Sequence, residues 1–194
     1  LWATLLFRPQ RPLEDWPSLG LTFAVSLAET IENYTKSKVS VKWPNDLWCD
    51  GAKLAGILLE QHSSAGAVAL GFGVNFDTPN AESPDTLRHP AIGLSALVDK
   101  PPSPKDLLQE IRRQFSARYN GWNLGQFAPT QEAFAVRDLL HDEHITWSDD
   151  SGTHEGRALG IDNLGRLKVG YSDGAQGYLS AGEVERMSAR PSSH

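Results

Sequence analysis

The order of apolar and polar positions divides the chain into two textures. Residues 1–8 (LWATLLFR) are apolar and rich in strand formers, and Pro9, Pro12 and Pro17 then break them into a loop. From about 17 to 34 the period changes. Leu21, Ala24, Val25, Ala28 and Ile31 recur at three- and four-residue spacing, which predicts one face of a helix with Pro17 in its first turn. Val39–Lys42 alternates as a strand that Trp43-Pro44 ends. Asp50-Gly51 is a two-residue hairpin signal between 47–49 and 52–61. A further strand is predicted over 66–76, and residues 77–90 read as a loop. Ser103, Pro104 and Asp106 form a helix start, followed by an apolar stripe of Leu107/Leu108, Ile111, Phe115, Tyr119 and Trp122. A shorter helix is predicted over 131–140.

From about 141 short strands recur every ten or so residues, at 145–147, 156–161, 167–171 and 177–179. They are spaced by turn clusters at 149–152, 162–165 and 173–174, a rhythm that predicts a small sandwich or barrel. The predicted organisation is a core over 1–140, a small β-barrel over 141–190 and a tail over 191–194.

The strand at 66–76 is split by face. Val68, Leu70, Phe72, Val74 and Phe76 make one side bulky, while Ala67, Ala69, Gly71, Gly73 and Asn75 leave the other almost bare. Two glycines weaken a strand, so the bare side needs a reason. Either a helix packs tightly on it, or a ligand lies on exposed backbone.

Composition narrows the classes. At 194 residues with 40% hydrophobic and 22% charged, the chain is long and apolar enough to bury a core without staples. No apolar run is long enough to predict a membrane span. A net charge of −6 argues against a protein built to grip nucleic-acid backbone. The single cysteine, Cys49, excludes a disulfide framework and a multi-cysteine zinc site, and reads as a small buried hydrophobe. A reducing, cytoplasmic location suits this usage. The strand under way at Leu1 implies further sequence upstream. His141 and His144 have no third ligand in sequence, so no metal ligands are assigned.

The densest cluster of chemistry is Lys42-Trp43-Pro44-Asn45-Asp46-Leu47, followed by Lys53-Leu54-Ala55-Gly56-Ile57-Leu58-Leu59-Glu60. A lysine leaves a strand end, and a rigid turn then presents Asn45 and Asp46. Each residue has an ordinary reading: a solvated lysine, two turn formers, core tryptophans. Strand-end loops are also where function concentrates.

Together these runs resemble the catalytic core of biotin–protein ligases, which adenylate biotin with ATP and transfer it to a lysine of a carrier protein. The Gly-x-Gly-x-Asn at 71–75 sits where that family has a similar element, and the likeness covers most of the chain. The resemblance implies an α+β fold, a mostly antiparallel class II synthetase-like sheet with helices on one face, then a Src-homology-3-like barrel. It implies that Lys42 is the catalytic charge, touching both the biotin carbonyl and the α-phosphate. Attack of one anion on another needs fixed positive charge more than a base. Lys42, Gly56, Ile57 and Leu58 are then biotin-binding, and Asn45, Lys53 and Asn75 nucleotide-binding. Asn45 and Lys53 face the phosphates or a magnesium ion. Asp46 either orients Lys42, receives the incoming lysine's proton, or simply caps its turn.

The implied co-substrates are ATP with magnesium and biotin, and the implied partner is a biotin carboxyl-carrier domain. A homodimer is compatible, whereas no helix-turn-helix is legible that would imply DNA binding. In the family a Gly/Arg-rich adenylate loop precedes the strand that begins here at Leu1. The expectation is therefore that these 194 residues make biotinyl-adenylate poorly by themselves. Two other readings stay open: a non-catalytic relative that binds ligand or carrier only, and a relative that transfers lipoate or octanoate.

Overall fold

The computed structural model describes residues 1–62, 66–78, 89–149 and 151–187. Among the described residues it contains two five-stranded antiparallel sheets and four helices.

The first sheet is built from β1 (Trp2–Phe7), β2 (Ser40–Lys42), β3 (Asp46–Cys49), β4 (Ala52–His62) and β5 (Ala67–Val74), in the order β1-β5-β4-β3-β2. The β3–β4 hairpin closes through Asp50 (φ 49°) and Gly51 (φ 78°), both left-handed as a tight two-residue turn requires. The 3-10 turn Leu13–Asp15 leads into α1 (Trp16–Glu32).

α1 is buried on nearly every side, more than its predicted stripe requires. Its polar residues are buried because each hydroxyl finds a carbonyl one turn back. Thr22 Oγ1 donates to Ser18 O at 2.8 Å, Ser26 Oγ to Thr22 O at 2.8 Å, and Thr30 Oγ1 to Ser26 O at 2.7 Å. α1 lies between the sheet and α3 (Pro104–Asn123), with α4 (Ala128–Ala135) alongside. The bulky face of β5 meets it: the Phe23 and Phe72 rings are 4.9 Å apart. The Ser103 hydroxyl caps α3 by accepting the Asp106 N–H at 3.2 Å, and Leu107, Ile111, Phe115 and Trp122 are buried. The short α2 (Leu94–Leu97) was not legible in sequence.

α4 starts three residues before the predicted helix and stops at Ala135. Pro129 suits its first turn. A turn at 136–137 follows, and Asp138 then bridges to β2: Val41 N donates to Arg137 O at 2.8 Å and Leu139 N to Val41 O at 3.0 Å.

The second sheet comprises β6 (His144–Asp149), β7 (Gly152–Ile161), β8 (Leu167–Gly170), β9 (Gln176–Leu179) and β10 (Val184–Arg186), in the order β10-β6-β7-β8-β9. Four of these match the predicted strands; β10 was not foreseen. The expected loop falls mostly at 79–88 and the expected tail at 191–194, both outside the described residues. Among the described residues no helix is long and apolar enough to cross a membrane.

Candidate active site

The two explanations for the bare face of β5 separate cleanly. Helices pack on the opposite, bulky face. The glycine side instead floors a cleft of about 890 Å³. Gly71 and Gly73 of β5 and Gly56, Ile57 and Leu58 of β4 line it, with Trp2, Thr4, Asn45, Asp46, Lys53, Asn75, His89 and Ala91. The Trp2 side chain lies across Gly73, where a Cβ would come within 3.2 Å of its ring. A side chain at Gly71 would meet only ordinary contacts, the nearest at 3.8 Å, so the fold itself does not demand glycine there.

A second, smaller cavity of about 440 Å³ shares Asn45, Asp46, Lys53 and His89 with the first and adds Lys42, Trp43, Pro44 and residues 182–184. The Trp43-Pro44 bond is cis and starts the turn that carries Asn45 and Asp46. The turn is fastened to β4 in both directions. Ile57 N donates to Asn45 O at 2.9 Å, and Asn45 Nδ2 donates to Ile57 O at 2.8 Å. This fastening takes over at the point where β3–β4 pairing ends, Asp46↔Gly56.

The predicted residues meet as follows. Lys42, at the end of β2, is only 7% exposed, and its Nζ lies 5.8 Å from the Trp48 ring centroid. Asp46 is its partner across the β2–β3 ladder, but not through its carboxylate. The Asp46 carboxylate instead accepts Lys53 Nζ at 2.7 Å, and this pair lies over Gly56, with Lys53 Nζ and Asp46 Oδ1 each 3.5 Å from where a Cβ would stand. The anion facing Lys42 is Glu185 of β10, with Oε2 3.5 Å from Nζ. Asn75 Nδ2 donates to Lys53 O at 3.2 Å, while its backbone carbonyl accepts Leu94 N–H at 2.9 Å. Both asparagines thus fix the strand that floors the cleft. Ile57 points its side chain into the core, 4% exposed, whereas Leu58 is exposed.

Sequence reasoning missed His89, Ala91, Trp2, Thr4 and Glu185. Thr4 and Trp2 were recoverable in principle as alternate positions of β1. Nothing local marks His89 or Glu185. His89 Nε2 also reaches Glu185 Oε1 at 3.4 Å. His89, Glu183 and Glu185 bring three ligand-type atoms within 4.8 Å of one another, among the described residues. His141 and His144 lie on a turn and at a strand start, not on a helix face. Burial pushes the Cys49 thiol up from its usual range, which keeps it protonated and unreactive.

Comparison with known proteins accords with this geometry. Residues 1–77 match the Biotin/lipoate A/B protein ligase family and residues 141–187 the Biotin protein ligase C terminal domain. The bifunctional ligase/repressor BirA of Bacillus subtilis is 30% identical over 184 residues, covering 93% of this chain and 57% of that protein. The chain thus spans little more than half the length of that relative. The biotin--[acetyl-CoA-carboxylase] ligase of Paracoccus denitrificans is 28% identical over 188 residues, covering 94% of this chain and 78% of the relative. A solved structure of the Aquifex aeolicus biotin protein ligase, in complex with biotin and ATP, shares the fold with a TM-score of 0.81 at 21% identity. It covers 96% of this chain and 78% of that one.

Proposed function

We propose that the chain, whose residues 1–77 match the biotin/lipoate A/B protein ligase family, activates biotin with ATP as biotinyl-AMP, releasing pyrophosphate, and passes the biotinyl group to a lysine of a biotin carboxyl-carrier domain, releasing AMP. The observation that carries this reading is the glycine-floored cleft running into the Lys42 turn. A flat heterocycle with an acyl chain can lie on the open Gly71 backbone, between the Trp2 ring over Gly73 and the Lys53–Asp46 pair over Gly56, and its carboxylate end then points toward buried positive charge.

Biotin lies against Gly56–Leu58, and Lys42 meets both its carboxyl oxygen and the α-phosphate. As the carboxylate attacks, negative charge builds on the phosphorus-bound oxygens, and a preorganised ammonium stabilises it where water is excluded. Lys53 sits at the junction of the two cavities and serves the nucleotide phosphates. Asn45 and Asn75 act through the β4 backbone they hold. Asp46, already committed to Lys53, holds that ammonium over Gly56 and is the carboxylate available to receive a proton from the incoming lysine. Magnesium brought in with ATP would offset phosphate charge. Glu183 and Glu185 are oxygen donors of the kind it takes, and His89 beside them is a poorer one.

The match over 141–187 favours biotin over lipoate or octanoate. We read 1–140 as the catalytic core with a class II synthetase-like sheet, and 141–190 as a Src-homology-3-like barrel. The expected setting is the cytoplasm, with a homodimer compatible with the fold. The repressor activity in the name of one relative is not part of this proposal.

Calorimetric titration with the non-hydrolysable sulfamate analogue of biotinyl-AMP, followed by its crystal structure, tests the reading. Density over Gly56 and Gly71–Gly73 with the linkage at Lys42 supports it. Saturable binding elsewhere, or none, overturns it.

A further inference from the structure

A buried ammonium needs an anion. Lys42 is 7% exposed, and burying a charge unpaired is costly. The nearest acid in sequence, Asp46, is taken by Lys53 at 2.7 Å. The anion that faces Lys42 comes from the other sheet, 143 residues away: Glu185 of β10, at 3.5 Å. That distance is long for a charge-assisted bond, so the two groups are opposed without being tightly locked. The Glu185 side chain is 44% exposed and its second oxygen faces His89. Its own carboxylate can therefore turn to water or to His89 at little cost, once another anion takes its place against Lys42. Its backbone, by contrast, is fixed. Glu185 pairs with Thr146 in the β10–β6 ladder, and Val184 before it is buried.

We propose that Glu185 is a positioning residue that stands in for the reactant anion, holding Lys42 extended and paired until a carboxylate or phosphate displaces it. The idea rests on the reading of Lys42 as the anion-binding charge of the site. If two anions must meet at Lys42 during adenylation, a third cannot stay there. Pairing with Glu185 thus competes with ligand and lowers apparent affinity by the share of molecules in the paired state. In return, the cation is already aimed when ligand arrives. The C-terminal sheet supplies the competitor, which ties its docking to the catalytic charge.

Two measurements on the full chain test this. Carbodiimide treatment of ligand-free protein should join Lys42 to Glu185, giving a cross-linked peptide by mass spectrometry. Saturating biotinyl-AMP sulfamate should cut that yield at least about fivefold. An equal yield with ligand bound, or no 42–185 cross-link in the free protein, overturns the proposal. Separately, Glu185→Gln keeps shape and a hydrogen-bond acceptor but removes the competing charge. It should bind the analogue about two- to fivefold more tightly, the range expected for removing a half-exposed ion pair, whereas Glu185→Asp should stay near wild type. Unchanged or weaker binding by Glu185→Gln overturns the proposal while leaving the ligase reading intact. Failure of wild type to bind the analogue removes both.

Discussion

The Trp43 indole N–H donates to the Gly165 carbonyl at 3.0 Å, joining the turn that presents the candidate site to the second sheet. Trp43 is 2% exposed, so this bond lies in the interior of the junction. Gly165 is as constrained as its partner. Its φ is +79°, and an added Cβ would stand 2.9 Å from the Ser18 Cα of α1. Trp43→Phe should cost about 1–3 kcal/mol by leaving the carbonyl without its donor. Gly165→Ala should cost at least about 2 kcal/mol through overpacking and left-handed strain. Calorimetric melting would read each as a drop of about 2–4 °C per kcal/mol. A wild-type melting temperature for Gly165→Ala would show that Gly165 is not packed this closely against α1.

Lys42→Ala should leave the fold nearly intact. The carboxylate it abandons is half-exposed and keeps His89 as a neighbour. Biotin-dependent exchange of pyrophosphate into ATP should fall about 10²–10³-fold, the cost of losing one preorganised charge donor, roughly 3–4 kcal/mol. A loss of only a few-fold would remove Lys42 from the transition state.

These contacts mark what could and could not be read from sequence. The α3 start was legible because Ser103, Pro104 and Asp106 act within one turn, and the β3–β4 hairpin because Asp50-Gly51 encodes its own backbone. The split of β5 announced a bare face, but only three-dimensional packing could say that helices cover the other one. β10 escaped because Val184 is its single apolar residue, flanked by Glu183, Glu185 and Arg186; it exists by pairing with β6. The end of α4 was overrun because residues 137–139 gain more by pairing with β2 than by continuing a helix. Lys42 was legible as chemistry, through a family motif. Its counter-charge was not, since no local signal spans 143 residues.

Gly71→Val separates ligand space from folding. The added side chain meets nothing closer than 3.8 Å at its Cβ, and valine suits a strand better than glycine. Melting temperature should hold or rise, while affinity for the biotinyl-AMP analogue should fall at least tenfold, because the floor of the cleft is filled. Retained affinity would mean that the ligand does not lie on β5.

Asp138 makes the linker sensitive to pH. Its Oδ1 accepts the Leu140 N–H at 2.9 Å, while Oδ2 is buried without a partner. Burial holds this carboxyl above the ordinary carboxylate range. A folded-state value above the unfolded one means that the native state prefers the protonated acid. Stability is then greatest below the unfolded value, about pH 4. It declines as pH rises toward the folded value, and the cost persists above it. Asp138→Asn mimics the protonated acid and keeps the Oδ1 acceptor. It should therefore be more stable than wild type at pH 7, with the gain shrinking to nothing as pH falls below about 4. Urea unfolding of both proteins across that range measures the difference. A gap that stays constant with pH would show that the buried charge of Asp138 is not its source. Because residues 137–139 pair with Val41, the residue before Lys42, the same titration should loosen the strand that carries Lys42.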